Sequence, residues 1–237
     1  MNKKATSGIG LELAAQLAKK GSYHVLMGAR SLEKGNTVLQ SLKSRQLEGP
    51  IDLIHLDVTR DDTIERAAET VRREYGKLDI LVNNAAISAM DPPLRQQMQD
   101  AFNTNATGPA VVTEAFGPLL QQSKNDPRII NITSGSGSIN RRLDPSSALY
   151  KLQGVQYRAS KTALHMVTAC QWVEYGPHVK VFAYDPGFTQ SNLGPFNKAE
   201  NGARSAEESV MPLIDVLEGK RDHEVAQLLH NTGVYPW

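Results

Sequence analysis

The sequence has little of what marks several protein classes. Its 237 residues include a single cysteine, Cys170, so no internal disulfide can form. No apolar run approaches the roughly 18 residues that a membrane-spanning helix needs. Charge of one sign is missing too: 26 Lys and Arg face 25 Asp and Glu, for a net +1. That balance removes the clustered positive excess on which nucleic-acid and anionic-membrane binding depend. The six histidines are scattered without metal-ligand spacing, so no metal site is expected. The basic N-terminus, MNKKATSGIG, has no apolar stretch behind it and does not read as a secretory signal. What is left is a cytoplasmic globular protein, and 40% hydrophobic residues suffice for a sizeable core.

Apolar, β-branched runs alternate with helical patterns. Residues 23–28, 51–56, 78–83, 128–133 and 179–184 read as short buried strands. Apolar residues at three- and four-residue spacing mark helices over 11–20, 63–75, 98–122 and 158–175. This alternation predicts an α/β fold with right-handed crossovers and a mostly parallel, doubly wound sheet covered on both faces. No linker or repeat divides the chain, so residues 1–237 form one domain. Two irregular stretches, about 135–156 and 187–205, follow predicted strands and are the candidate substrate loops. The terminal Gly233–Trp237 stretch is expected as a last edge strand, with Pro236 ending its pairing.

Ser7-Gly8-Ile9-Gly10 precedes the first predicted helix. Glycines there let backbone N–H groups approach a pyrophosphate, where the helix dipole favours negative charge. The next strand ends at Ala29-Arg30, the place from which a dinucleotide fold reads the adenosine ribose. An acidic residue there suits NAD, whereas Arg30 suits a 2′-phosphate. Farther on, Tyr157 and Lys161 stand four residues apart, one above the other on a helix face. A nearby cation favours phenolate and is expected to lower the tyrosine pKa. Ser134, at the end of a predicted strand, offers a hydroxyl to the same carbonyl oxygen.

With these residues in view, the chain resembles the short-chain dehydrogenase/reductase family over nearly its whole length. The motifs run in the family's order: Ser7 to Gly10, Leu56-Asp57-Val58, Asn83 to Ala86, Asn105, Ser134, Tyr157 with Lys161, and Asp185-Pro186-Gly187. The resemblance implies a Rossmann-like domain that reduces a ketone or aldehyde to an alcohol, reversibly, with NADP(H) favoured over NAD(H) because of Arg30. It makes Tyr157 the general acid and base, and Ser134 the residue that orients the substrate oxygen. It gives Lys161 the nicotinamide ribose as well as the phenol, and the Asn105 side chain a water linking Lys161 to solvent. For the cofactor it further implies Ser7, Gly8, Ile9 and Gly10 at the pyrophosphate, and Asp57 and Val58 at the adenine. Asn83 and Ala85 would line the adenosine ribose, Pro186 and Gly187 would turn under the nicotinamide, and Thr189 would meet its carboxamide. Ser134 and Tyr157 lie farther apart than in many members. The extra polar loop resembles those of fungal and carbonyl-reductase-like members and leaves monomer and homo-oligomer both open. The expected partner is a small carbonyl or alcohol, with Phe188 and Phe196 pointing to an apolar or aromatic one. Cys170 and Trp172 are expected in the core and His165 as a packed or solvated histidine.

One departure stands out. The family opens with a buried apolar strand running into Thr-Gly-x-x-x-Gly-x-Gly, but here Lys4 stands where the first glycine belongs, with only Met1, Asn2 and Lys3 before it. The first, central strand is therefore expected to be missing, as in a truncated or mis-started version of a longer chain. A chain in that condition is expected to fold poorly and bind NADPH weakly. Restoring the strand and Gly at position 4 should raise both. The alternative functions are a catalytically impaired dinucleotide sensor or scaffold on the same fold, and an enone reductase.

Overall fold

A computed structural model describes residues 8–45, 47–90 and 93–237; Ser7, expected at the pyrophosphate, lies outside them. Five strands run parallel: β1 (Val25–Ala29), β2 (Ile51–His55), β3 (Ile80–Asn83), β4 (Arg128–Ile132) and β5 (Lys180–Asp185). β6 (Leu228–His230) adds to β5 in parallel, and β7 (Gly233–Tyr235) closes the edge antiparallel to it. Gly233-Val234-Tyr235 is thus the edge strand expected, and its pairing stops before Pro236.

Helices cover both faces, as crossovers between parallel strands require. α1 (Ile9–Lys19), α2 (Leu32–Lys43) and α8 (Ala206–Leu217) pack on one side, through Leu13, Leu17, Val210 and Leu213 against Ile130 and Phe182. α3 (Asp61–Tyr75), α5 (Gly108–Gln121) and α7 (Val155–Tyr175) pack on the other. Local chemistry sets the ends. α3 opens on Asp61 and Asp62 and ends at Gly76, whose φ of 71° supplies the left-handed turn that receives the last carbonyls. Ser205 and Glu208 form a reciprocal capping box on α8. No helix among the described residues is long and apolar enough to cross a membrane.

The helix expected over 98–122 is broken. α4 (Leu94–Phe102) gives way to a π-turn at Asn103–Thr107 before α5 begins. Pro109 has no N–H to return to the Asn105 carbonyl four residues back, so the α ladder cannot run through. α2 and α8, which no apolar period marked in the sequence, complete the helical layers, and the short α6 (Ile139–Leu143) lies between β4 and α7.

A polar chain crosses the interior. Asn83 Nδ2 donates to Asn131 Oδ1 at 2.8 Å and to Thr113 Oγ1 at 3.1 Å, while Asn131 Nδ2 donates to Gln171 Oε1 at 2.7 Å and Thr168 Oγ1 at 2.9 Å. It clamps β3, β4, α5 and α7 together where Asn131 is fully buried. Asn131→Leu strands an amide donor and acceptor in a dry site and is expected to cost about 3 kcal/mol, lowering Tm by about 10 °C. Thermal unfolding checks this; a loss below about 1 kcal/mol would show that the four elements do not depend on it.

Candidate active site

β4 runs through Thr133, whose N–H donates to the Tyr184 carbonyl at 2.8 Å, and delivers Ser134 at the carboxyl edge of the sheet. Ser134 caps a 3-10 turn, Gly135–Gly137, its Oγ accepting from Ser136 N at 3.1 Å. The same hydroxyl is hydrogen-bonded to the Tyr157 phenol. α7 carries Tyr157 and, one turn on, Lys161, which is 1% exposed. Lys161 Nζ lies 5.7 Å from the Tyr157 ring centroid and donates to the Ile132 carbonyl at 2.9 Å. Three of the four expected catalytic side chains thus converge.

The electrostatics differ from the expectation at one point. Burial pushes the Tyr157 pKa up, the Asp185 carboxylate adds to the rise, and the Ser134 hydrogen bond only partly opposes them. Lys161 Nζ directs a hydrogen bond to the Ile132 carbonyl. The phenol therefore holds its proton, the state an acid needs. Burial brings Lys161 itself down to about 8, with Asp185 pulling the other way.

Asn105 is buried in the π-turn. Its Oδ1 accepts from Ile87 N at 2.9 Å, and its Nδ2 donates to the Ile87 carbonyl and to Ser160 Oγ, each at 2.9 Å. This corrects the expected role, because the side chain is engaged in tying α7 to the segment after β3. Pro109 supplies no N–H to the Asn105 backbone carbonyl.

Asp185, at the end of β5, is a positioning residue that the sequence pattern did not single out. Its carboxylate accepts from Gly135 N and Gly187 N, both at 2.8 Å, and so joins the starts of the two candidate substrate loops. Burial raises its pKa against those two bonds and the Arg141 charge. The signal was its place in Asp185-Pro186-Gly187, directly after a strand. His165, one turn beyond Lys161, is packed as expected: it is buried, bonded to the Ser134 backbone, and brought down by burial to about 4. Trp172 packs in the core beside Tyr175 and Val179, but Cys170 is exposed, contrary to expectation.

The cofactor residues divide. Gly8 caps α1 with φ 148°, and among the described residues no side chain caps the first turn, whose N–H groups suit an anion. Ile9 begins the helix, and Gly10 lies so close to the segment after β3 that a Cβ there would sit 2.5 Å from Asn84 Nδ2. Arg30 is exposed just after β1. Asp57 accepts from Thr59 N at 3.0 Å and Thr59 Oγ1 at 2.7 Å. Burial works to raise the Asp57 pKa, but these bonds and the Arg30 and Arg60 charges outweigh it and leave it lowered. Val58 packs against Gly108. Ala85 follows β3, and Pro186 with Gly187 (φ 77°) turns the chain after β5. Two of the expected residues have their side chains engaged within the protein. The Asn83 side chain points into the polar chain of the interior and not toward a ribose. Thr189 is 2% exposed, with its hydroxyl bonded to Ser209 Oγ at 2.8 Å and to the Gly187 carbonyl at 3.0 Å. An uncapped helix start, an exposed arginine after the next strand and a buried lysine form a donor set that fits a nicotinamide dinucleotide.

Comparison with known proteins agrees with this arrangement. A family model described as short chain dehydrogenase matches residues 4–201. Short-chain dehydrogenase anuI of Penicillium roqueforti is 37% identical over 219 residues, covering 89% of this chain and 84% of its own. Short-chain dehydrogenase/reductase tropE of Talaromyces stipitatus is 34% identical over 256 aligned positions, covering 96% and 93%. Among solved structures, NADPH-bound carbonyl reductase from chicken fatty liver superposes with a TM-score of 0.81 at 27% identity, covering 98% of this chain and 95% of that one. The chain belongs to the short-chain dehydrogenase family and is an oxidoreductase built on a Rossmann-like fold.

Proposed function

We propose that the chain reduces a ketone or aldehyde to an alcohol, reversibly, with NADP(H), and that Tyr157 is the proton donor. The observation that carries this reading is the hydrogen bond between the Ser134 hydroxyl and a phenol that burial keeps protonated, with Lys161 on the same helix face. A bound nicotinamide dinucleotide supplies the electron pair that reduces the carbonyl carbon. The protein's residues do the rest. Ser134 Oγ orients the carbonyl oxygen, and Tyr157 Oη gives it a proton as negative charge develops there. Lys161 holds its charge beneath the phenol and offers its remaining N–H groups to the cofactor ribose. The Asn105 carbonyl, released by Pro109, anchors a water through which Tyr157 regains a proton. Gly8 to Gly10 hold the pyrophosphate at the start of α1, and Arg30 pairs with a 2′-phosphate. Phe188 and Phe196, 46% and 63% exposed on the loop after β5, suit an apolar or aromatic substrate. The NADPH in the chicken carbonyl reductase structure supports the same cofactor.

Since Lys161 is brought down to about 8, its charge is complete below that pH and is lost as pH rises through it. kcat/KM for NADPH, which reports the free enzyme, is therefore expected to fall above about pH 8. A profile that stays flat up to the ordinary lysine value of about 10.4 would contradict the role given to Lys161. Incubation with NADPH and a panel of ketones, aldehydes and enones, with products identified, tests the reaction class; the reading requires alcohols.

A further inference from the structure

Arg142 of α6 and Arg158 of α7 hold the same loop. Arg142 Nη1 donates to the Tyr150 carbonyl and, at 3.0 Å, to that of Leu152. Arg158 Nη1 donates to the Leu149 carbonyl at 3.1 Å and to the same Leu152 oxygen at 3.2 Å. Two guanidinium groups thus meet at one acceptor. Among the described residues neither has a carboxylate partner. Asp144, the acid nearest to Arg142 along the chain, turns its Oδ1 to Ser146 N and Oγ, at 2.9 and 2.7 Å. Arg158 is only 8% exposed, and its Nη2 has no hydrogen-bond partner among the described residues. Burial and, after it, the Arg142 charge lower the Arg158 pKa, yet a guanidinium keeps its proton in a protein.

Beside this pair lies a cavity of about 210 Å³, lined by both arginines and by Ser136 of the 3-10 turn. Ile139, Leu143, Leu152 and Val155 form its apolar rim, and all four are exposed. Ser134, Tyr157 and Lys161 do not line it, so it stands apart from the proposed reacting centre. Fastening the 149–152 loop accounts for Nη1 of each arginine and, among the described residues, leaves each Nη2 unused. Two like charges held together in a partly dry place are costly without an anion. A planar carboxylate matches the guanidinium fork. The rim asks for a hydrocarbon body on that carboxylate, and a volume below the roughly 300 Å³ at which drug-sized pockets begin keeps the body small. We propose that this cavity binds a small carboxylic acid with an apolar body, its carboxylate on Arg142 and Arg158 and its hydrocarbon against Ile139, Leu143 and Val155.

This proposal does not depend on the catalytic reading, because binding is read without turnover. Hexanoate is titrated into the full chain by calorimetry, with hexanol as the neutral analogue and acetate as the anion without a body. Amide hydrogen exchange locates the ligand. Hexanoate is expected to bind about 10-fold or more tighter than either analogue and to slow exchange over residues 136–143 and 150–158. Arg142→Gln removes a charged donor and should weaken hexanoate by about 10–100-fold. Because Arg142 also holds the loop, Ile139→Glu is measured beside it. That exposed position tolerates the change, so Tm should hold, while a carboxylate at the rim should repel the ligand and weaken it by about 10-fold. Equal binding of hexanol or acetate would overturn the proposal, as would no binding at millimolar hexanoate. So would unchanged affinity in Ile139→Glu or in a folded Arg142→Gln, or protection found around Lys161 and Thr189 in place of the two named segments.

Discussion

Tyr157→Phe is expected to lower kcat by about 10²–10⁴-fold, the usual contribution of a positioned general acid, with cofactor affinity and fold retained. The substitution removes one oxygen from a ring that α7 holds in place. Among the described residues, the interaction of the phenol that it deletes is the hydrogen bond with Ser134, which is worth about 1 kcal/mol. Tm should therefore move by only a few degrees. Turnover with a ketone and an NADPH titration, run on the same preparation, separate the two effects. Retention of more than about a tenth of wild-type kcat would move the proton donor elsewhere. A loss of cofactor binding in parallel would mean that the phenol serves as a structural group.

Arg30→Glu is expected to weaken NADPH binding by about 10–100-fold while leaving NADH binding unchanged or improved. Arg30 is exposed directly after β1, and its charge reaches the Asp57 carboxylate, which puts it where the proposed site takes the adenosine half. Hydrogen bonds to a charged group are worth about 1.5–3 kcal/mol, and replacement by a carboxylate adds repulsion toward a 2′-phosphate while supplying an acceptor for a 2′-hydroxyl. Fluorescence titration of both nucleotides checks the result. An equal loss for NADPH and NADH would show that Arg30 supports the fold or the pyrophosphate and does not set cofactor choice.

The parts of this fold that were legible in the sequence are those with one dominant signal. β4 is buried along its whole length and reads as an apolar run. Tyr157 and Lys161 share a helix face because their spacing leaves no other arrangement. Side-chain direction within buried strands was not legible. In β3 both faces are covered, so no alternation of apolar and polar residues shows that Asn83 turns toward Asn131 and not toward a nucleotide. The surroundings of Thr189 were not legible for a related reason: its loop is tied by side chains distant in sequence, Ser209 Oγ and Asn197 Nδ2. The break at Asn105 had a local cause in Pro109, but an apolar period running through 98–122 masked it. Cys170 falls on the solvent face of α7, where the helical period of an otherwise well-buried helix gave little contrast.

The central claim is that a protonated phenol beside Ser134 hands its proton to a carbonyl oxygen while a reduced nicotinamide is consumed. Product analysis after incubation of the wild-type chain and Tyr157→Phe with NADPH and an aromatic ketone tests it most directly. The account predicts the secondary alcohol in stoichiometric amount with NADPH oxidised by the wild type, and almost none from the variant. Equal alcohol from both proteins, or a saturated ketone formed from an enone with carbonyl groups left untouched, would contradict it.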